Sequence, residues 1–326
     1  MDFIEELRGK LTAGEINVVY PEGEDPRILW AAEKLHREGI IHPVVLGNLE
    51  EIKKTAQENN LDIEGMEIID VEHYEFMDEM VAAFVERRKG KIDEAGAREK
   101  LKDANYLGTM MVYTGKAEGM VSGAVHTTGD TVLPALQIIK TKEGVSRISG
   151  SFLMLRGDEK YLFADCAINM EMDTPTLAEV AVASYDTAKA FGIDPKVAML
   201  SFSTKGSASS PVVDKVADAT RLVKETHPEI PVDGELQFDA AFVAEVGSKK
   251  APGSDVAGKA TVFVFPSLEA GNIGYKIAQR LGGFTAVGPI LQGLALPVND
   301  LSRGCSKEEA YQLAYITAIQ AKTLNK

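Results

Sequence analysis

The stretch NVVYPEGEDPRILWAAEKL, Asn17 to Leu35, decides the architecture. Asn17 to Tyr20 is an apolar run of strand length, closed by the turn-formers Pro21-Glu22-Gly23. Asp25-Pro26 then opens a helix: a carboxylate that can accept from first-turn N–H groups, followed by a proline whose missing N–H is not needed there. Ile28, Leu29, Ala32 and Leu35 recur at helical spacing and give the helix one apolar face. Outward from it lie a strand at Pro43–Leu46, a polar helix at Leu49–Glu58 and a strand at Met66–Asp70. Alternation of this kind predicts a mainly parallel sheet covered by helices, because parallel neighbours need a crossover that packs back on the sheet.

Composition bounds the function. A chain of 326 residues is long for one core, so two α/β domains are expected. With 49 acidic against 35 basic residues the formal charge is −14, which disfavours nucleic acid or an anionic membrane as partner. No run approaches the apolar length of a membrane span. The opening MDFIEELRGK is amphipathic and acidic and lacks the apolar core of a signal peptide. Cys166 and Cys305 stand far apart, so neither a disulfide framework nor a CxxC site is indicated. A reducing cytoplasm is the expected location.

Further along, residues 75–104 read as two charged helices, and the basic knot Arg87, Arg88, Lys89 and Lys91 as a solvated face. Gly119–Gly123 is a short strand ending in glycine. It leads through Ala124–Asp130 to a helix at Thr131–Ile139, so that Ser122, Gly123, Thr127 and Thr128 form one candidate ligand wall, with His126 beside it at most. From Ser146 the texture changes to two β-rich runs, Arg147–Leu155 and Tyr161–Ile168, around a hairpin turn at Gly157-Asp158. A domain boundary near residue 148 is expected. Beyond it come a helix from Thr174 to Phe191, a strand at Lys196–Ser203, helices at Val212–Glu225 and Phe238–Val246, and a strand at Ala260–Phe265. Lys276 and Arg280, four residues apart, share one face of the next helix.

A second wall is PVNDLSRGC, Pro297 to Cys305, between a strand-like run at Phe284–Ile290 and an amphipathic run at Lys307–Lys322. It gathers Asn299, Asp300, Ser302 and Arg303 ahead of a helix N-terminus, an arrangement suited to anions. The ordinary alternative is a capped loop in which Asp300 and Ser302 only satisfy backbone donors. Walker, GxGxxG, HExxH and GxSxG patterns are all absent, and no cysteine–histidine cluster suggests a metal. Anion handling therefore falls to arginine, lysine and backbone amides.

Taken together, VSGAVHTT (Val121–Thr128), PALQIIKT (Pro134–Thr141), YLFADCAIN (Tyr161–Asn169), VAMLSFST (Val197–Thr204), GELQFDAA (Gly234–Ala241), VFVFPSLEAGNIGYK (Val262–Lys276) and GPILQGLALPVNDLSRG (Gly288–Gly304) resemble the phosphate acetyltransferases in sequence and order. The resemblance implies reversible acetyl transfer between acetyl phosphate and coenzyme A, with coenzyme A a substrate and no permanently bound cofactor. It implies a homodimer of two-domain α/β subunits with the active cleft between the domains. The C-terminal segment would return to the first domain, giving 1–148 plus 290–326 and 149–289.

By that resemblance Arg303 holds the phosphoryl group, Ser302 donates to developing charge, and Lys250, Lys276 and Arg280 engage phosphates. The family's general base is usually Asp, and the matching residue here is Glu309; the family's arginine before PALQ is replaced by Leu133. With no Ser–His or Cys–His nucleophile signature, direct attack by the coenzyme thiolate in a ternary complex is expected, and Cys166 is expected to be an inert buried thiol. Phosphate butyryltransferase activity, or a catalytically silent acyl-CoA or phosphate-binding module, are the alternatives.

Overall fold

The computed structural model describes residues 3–324. Its strands, numbered along the chain, are β1 (Ile16–Tyr20), β2 (Ile41–Gly47), β3 (Glu67–Asp70), β4 (Gly119–Ser122), β5 (Ser149–Arg156), β6 (Glu159–Ala164), β7 (Val197–Leu200), β8 (Val232–Leu236), β9 (Val262–Val264), β10 (Thr285–Gln292) and β11 (Val298–Asp300). By contact the chain divides into two units, one running up to Lys142 and resuming at Leu294, the other spanning Glu143–Gly293.

The first unit carries a wholly parallel sheet in the order β11-β4-β1-β2-β3. Val18, Val19 and Tyr20 of β1 are fully buried, as a strand covered on both faces requires. The helix Pro26–Glu38 follows with Asp25 accepting from the Arg27 amide, and Gly39 ends it in the left-handed conformation at φ 67°. The helix Lys307–Leu324 buries Leu313, Ala314, Tyr315 and Ile316 against β1, β4 and the helix Pro26–Glu38. Leu313 and Ile316 each add roughly 1.5–3 kcal/mol of transfer free energy. This unit therefore depends on residues from both ends of the chain.

The second unit carries a mostly parallel sheet, β10-β5-β6-β9-β7-β8, with β10, β5 and β6 antiparallel. The β5–β6 hairpin turns through Gly157 at φ 58°, and Phe152, Phe163, Phe263 and Phe265 form the centre of its core.

Four elements differ from the sequence expectation. The helix Ala104–Tyr113 is buried nearly all round, so it lacks the one-sided stripe that marks a surface helix. Strand β8 reads VDGEL, and its acids are buried through partners: Asp233 meets Lys205 and Lys224, and Glu235 accepts from Ser203 and Gly206. The run at Phe284–Ile290 belongs to β10 of the second sheet, while the strand that enters the Ser302 loop is the short β11. The helix expected from Thr131 begins one turn earlier, at Thr128.

Candidate functional site

In the first unit three loops converge at the carboxyl end of the parallel sheet: residues 21–25 after β1, with Arg27 in the helical turn that follows, 123–127 after β4 and 301–306 after β11. In open parallel sheets this edge is where ligands bind. The loop after β1 supplies the ties. Glu22, 2% exposed, accepts from the main-chain N–H of Ala124 (2.8 Å), Val125 (3.0 Å) and His126 (3.0 Å), and from His126 Nδ1 at 2.7 Å. Burial pushes the Glu22 carboxyl up, but these hydrogen bonds outweigh it and hold it below its ordinary value. The same contact raises the His126 imidazole.

Arg27 binds the Asp25 carboxylate through Nε at 2.9 Å and Nη2 at 2.8 Å. It also donates to the carbonyls of Ala124 (2.8 Å), Arg303 (2.9 Å) and Cys305 (3.0 Å). One guanidinium thus fixes all three loops. Neither Glu22 nor Arg27 stood out in the sequence, since their partners on the other two loops lie 97 or more residues away.

The Ser302 loop is a tight turn in which the Cys305 N–H donates to the Ser302 carbonyl at 2.8 Å. The Ser302 hydroxyl is exposed and accepts from the Gly304 N–H at 3.3 Å, which leaves its own proton uncommitted. The Arg303 guanidinium is exposed and meets no acceptor among the described residues. A charged fork held by its main chain and unpaired at its tip is what an oxyanion requires. Burial pushes the Cys305 thiol up to about 11, and burial likewise raises Cys166, which disfavours the nucleophilic thiolate at both.

Glu309 lies in the first turn of the helix that starts at Lys307, five residues beyond Ser302. Its Oε2 accepts from the Ser306 N–H at 2.6 Å while the Ser306 hydroxyl receives the Glu309 N–H at 3.1 Å, a capping box. Its Oε1 has no partner among the described residues.

Other expected ligand residues have structural duties. Ser122 is fully buried and donates to Asn105 at 2.6 Å. Asn299 is fully buried, with its amide on Thr317 (2.8 Å) and Gln320 (2.6 Å), joining β11 to the C-terminal helix. Thr127 is the N-cap of Thr128–Ile138 and forms a capping box with Asp130. Thr128 is exposed, and its hydroxyl donates to Asp300 Oδ2 at 2.7 Å. Asp300 is 1% exposed and its Oδ1 has no partner. Gly123, at φ 109°, leaves that oxygen its space: a Cβ there would run into Oδ1. Arg87 and Arg88 are not merely solvated, because they donate to the carbonyls of Ile138 (2.5 Å), Ile139 (3.0 Å) and Gln137 (3.3 Å) at the end of that helix. Leu133 is half exposed on the helix.

In the second unit Lys250 is engaged by Gln237 and Asp239, each at 2.9 Å, and Lys276 by Asn272 at 2.5 Å. Arg280 is exposed without an acceptor among the described residues. No group of His, Cys, Asp or Glu among the described residues is placed to hold a metal ion, and no helix is long and apolar enough to cross a membrane.

Comparison with known proteins agrees across the chain. Residues 2–318 match the family described as phosphate acetyl/butaryl transferase. The phosphate acetyltransferase of Bacillus subtilis (strain 168) is 60% identical over 320 residues, covering 98% of this chain and 99% of that protein. The EutD phosphotransacetylase from Staphylococcus aureus superposes with a TM-score of 0.94 at 58% identity, covering 98% of each chain. A phosphotransacetylase from Streptococcus pyogenes gives 0.94 at 54% identity, again over 98% of each.

Proposed function

The chain belongs to the phosphate acetyl/butaryl transferase family, and we infer from that membership that it transfers acetyl reversibly between acetyl phosphate and coenzyme A. It is an acyltransferase. The observation that carries our reading of the site is the Arg303 guanidinium, unpaired at the end of a loop whose main chain Arg27 holds.

On this reading Arg303 grips the phosphoryl oxygens in a bidentate contact and neutralises the charge that would repel a thiolate. Ser302 offers its free hydroxyl proton to the oxygen that gains charge as the carbonyl is attacked. A coenzyme thiol near pKa ~8.5 is mostly protonated at neutral pH, so a base must take its proton. Glu309, through the uncommitted Oε1, is that base, and its tie to Ser306 fixes the carboxylate without consuming both oxygens. The thiolate attacks the acetyl carbon directly, a reading supported by the burial of both cysteines, which keeps either from offering a ready thiolate to carry an acyl group. Arg280 is the uncommitted cation for a phosphate of substrate or coenzyme; Lys250 and Lys276 would have to exchange neutral or acidic partners for one. Gly123, Thr127 and Thr128 line the anion loop, whereas Ser122 and Asn299 shape it from beneath.

Coenzyme A is a substrate here and no cofactor is permanently bound. The enzyme acts in acetate metabolism as a cytoplasmic homodimer. Two free buried cysteines fit a reducing compartment. Ile273, Ile277 and Leu281, exposed at helical spacing, form an apolar stripe that fits a subunit contact. The decisive experiment is coenzyme A-dependent consumption of acetyl phosphate by the purified chain, run beside butyryl phosphate. Loss of acetyl phosphate with formation of the thioester is expected. No consumption would sink the reading, and faster turnover of butyryl phosphate would move the substrate to the longer acid.

A further inference from the structure

The proton balance of this reaction asks for a group that the residues discussed so far do not supply. Acetyl phosphate is a dianion near neutral pH, and breaking its carbonyl-carbon–oxygen bond without a proton would expel phosphate as a trianion, a very poor leaving group. The thiol loses a proton on one side and the phosphate gains one on the other. A base at sulfur therefore has to be matched by an acid at the departing oxygen.

We propose that the Thr128 hydroxyl, backed by the Asp300 carboxyl, delivers that proton. The proposal rests on the acetyl-transfer reading above. Thr128 is exposed at the first position of its helix, beside the Ser302 turn, and its hydroxyl takes no part in the cap that Thr127 and Asp130 form. Asp300 sits behind it at 2.7 Å, two residues before Ser302 and three before Arg303. It is fully enclosed and faces no cation among the described residues; Thr128 is its one side-chain partner at hydrogen-bond distance, with the Thr131 hydroxyl and the Leu301 N–H as weaker neighbouring donors and Oδ1 without a close partner. A buried carboxylate whose charge mattered would be expected to hold a cation or several N–H donors, as Glu22 does. The arrangement at Asp300 suits a carboxyl that spends part of its time neutral. Consistent with this, burial raises its pKa to about 6 despite the downward pull of the Thr128 and Thr131 hydroxyls and the Leu301 N–H, and the negative charge of Glu22 pushes the same way as burial.

With Asp300 protonated the contact reverses: the carboxyl donates to Thr128 Oγ1, and the threonine's own proton turns outward to the ligand. As sulfur bonds to the acetyl carbon, the electron pair of the breaking bond passes to the bridging oxygen. That oxygen takes the Thr128 proton, and Thr128 takes the Asp300 proton. The products are the thioester and hydrogen phosphate, with Asp300 ionised and the thiol proton on Glu309; exchange with solvent resets both carboxyls. In the reverse direction Asp300 receives, through Thr128, the proton that hydrogen phosphate must lose. Thr128 is then a catalytic residue, and Asp300 is the positioning residue that holds its proton.

The test compares acetyl phosphate with its monomethyl ester, whose leaving group is methyl phosphate, already stable as a dianion and in no need of a proton. Thr128→Val and Asp300→Asn should each lower kcat with acetyl phosphate by ~10²-fold or more, the usual scale of general-acid loss. Their loss with the ester should be under about threefold, and Thr128→Ser should restore most of the acetyl phosphate rate. A proton inventory of wild-type turnover in mixed light and heavy water should curve and become linear in Thr128→Val. Equal losses on both donors, an undiminished rate in Thr128→Val, or an inventory unchanged by that substitution would each overturn the relay. Wild-type enzyme that consumes no acetyl phosphate at all would instead overturn the acetyl-transfer reading on which the relay stands. Because Asp300→Asn alters a buried site, Thr128→Val at the exposed helix start decides the case should the former fail to fold.

Discussion

Arg27 Nη1 donates to the main-chain carbonyl of Arg303 at 2.9 Å, across 276 positions of sequence. The guanidinium that would grip phosphate is thus aimed by another guanidinium that never needs to touch ligand. Arg27→Ala should reduce kcat/KM for acetyl phosphate at least ~10-fold, the size expected when an anchored loop drifts by a fraction of an ångström. Added methylguanidine should recover part of the rate, since it can refill the site between Asp25 and the three carbonyls. No recovery, with a wild-type melting temperature, would show that the anchor is not what matters.

At Arg303 the prediction concerns shape, not charge. Arg303→Lys keeps the positive charge but presents a point instead of a fork, and steady-state kinetics should show a loss of kcat/KM well beyond tenfold, ~1.4 kcal/mol or more. An unchanged value would place the phosphate elsewhere.

For Glu309 the capping box sharpens the experiment. Glutamine can occupy the same place in a capping box, so Glu309→Gln should leave the melting temperature nearly unchanged. It should still lower kcat by ~10²-fold, because an amide cannot accept the thiol proton. Glu309→Asp should keep much of the activity, and the exposed Glu308→Gln should be silent. Wild-type turnover by Glu309→Gln from pH 6 to 9 would remove Glu309 from the mechanism.

The Glu22–His126 contact gives a pH window for stability. Glu22 is held below its ordinary 4.5, so its contribution is present above that value and fades as pH falls through the lowered one. His126 is raised above its ordinary 6.5, so its contribution is complete below 6.5 and fades as pH rises through the raised value. The melting-temperature gap between wild type and His126→Gln should therefore be widest between about pH 4.5 and 6.5 and narrow on either side. A gap constant across pH would mean that the imidazole acts by shape alone.

Local chemistry made much of the fold legible. Asp25-Pro26 announced the start of its helix, and the apolar runs at β1 and β2 announced a parallel sheet, because the cause of each lies within a few residues. The Ser302 and Thr128 loops were legible as polar segments after strands. Which of their side chains face outward was not. Asn299 and Ser122 look like ligands in a line of sequence, but sheet pairing turns both inward, where Thr317, Gln320 and Asn105 satisfy them. Strand β8 was hidden because Asp233 and Glu235 read as surface acids until Lys205, Lys224 and Ser203 neutralise or bind them. The pairing of Ser306 with Glu309 was within reach, since Ser-x-x-Glu ahead of an apolar run is a local signal for a helix start.

The return of residues 294–324 to the first unit has a consequence for biosynthesis. The second unit is contiguous, so a ribosome delivers all of it before residues 294–324 are made. The first unit begins earlier and finishes later: its edge strand β11, the Ser302 loop and the helix that packs on β1 and on the helix Pro26–Glu38 are made after the second unit. Until then β4 has an unpaired edge, and the Glu22, Arg27 and Thr128 loops wait without the partner they converge on. A nascent chain stalled before residue 294 would consequently expose an apolar parallel sheet to chaperones, and a chain cut at residue 293 should yield aggregate rather than weakly active enzyme.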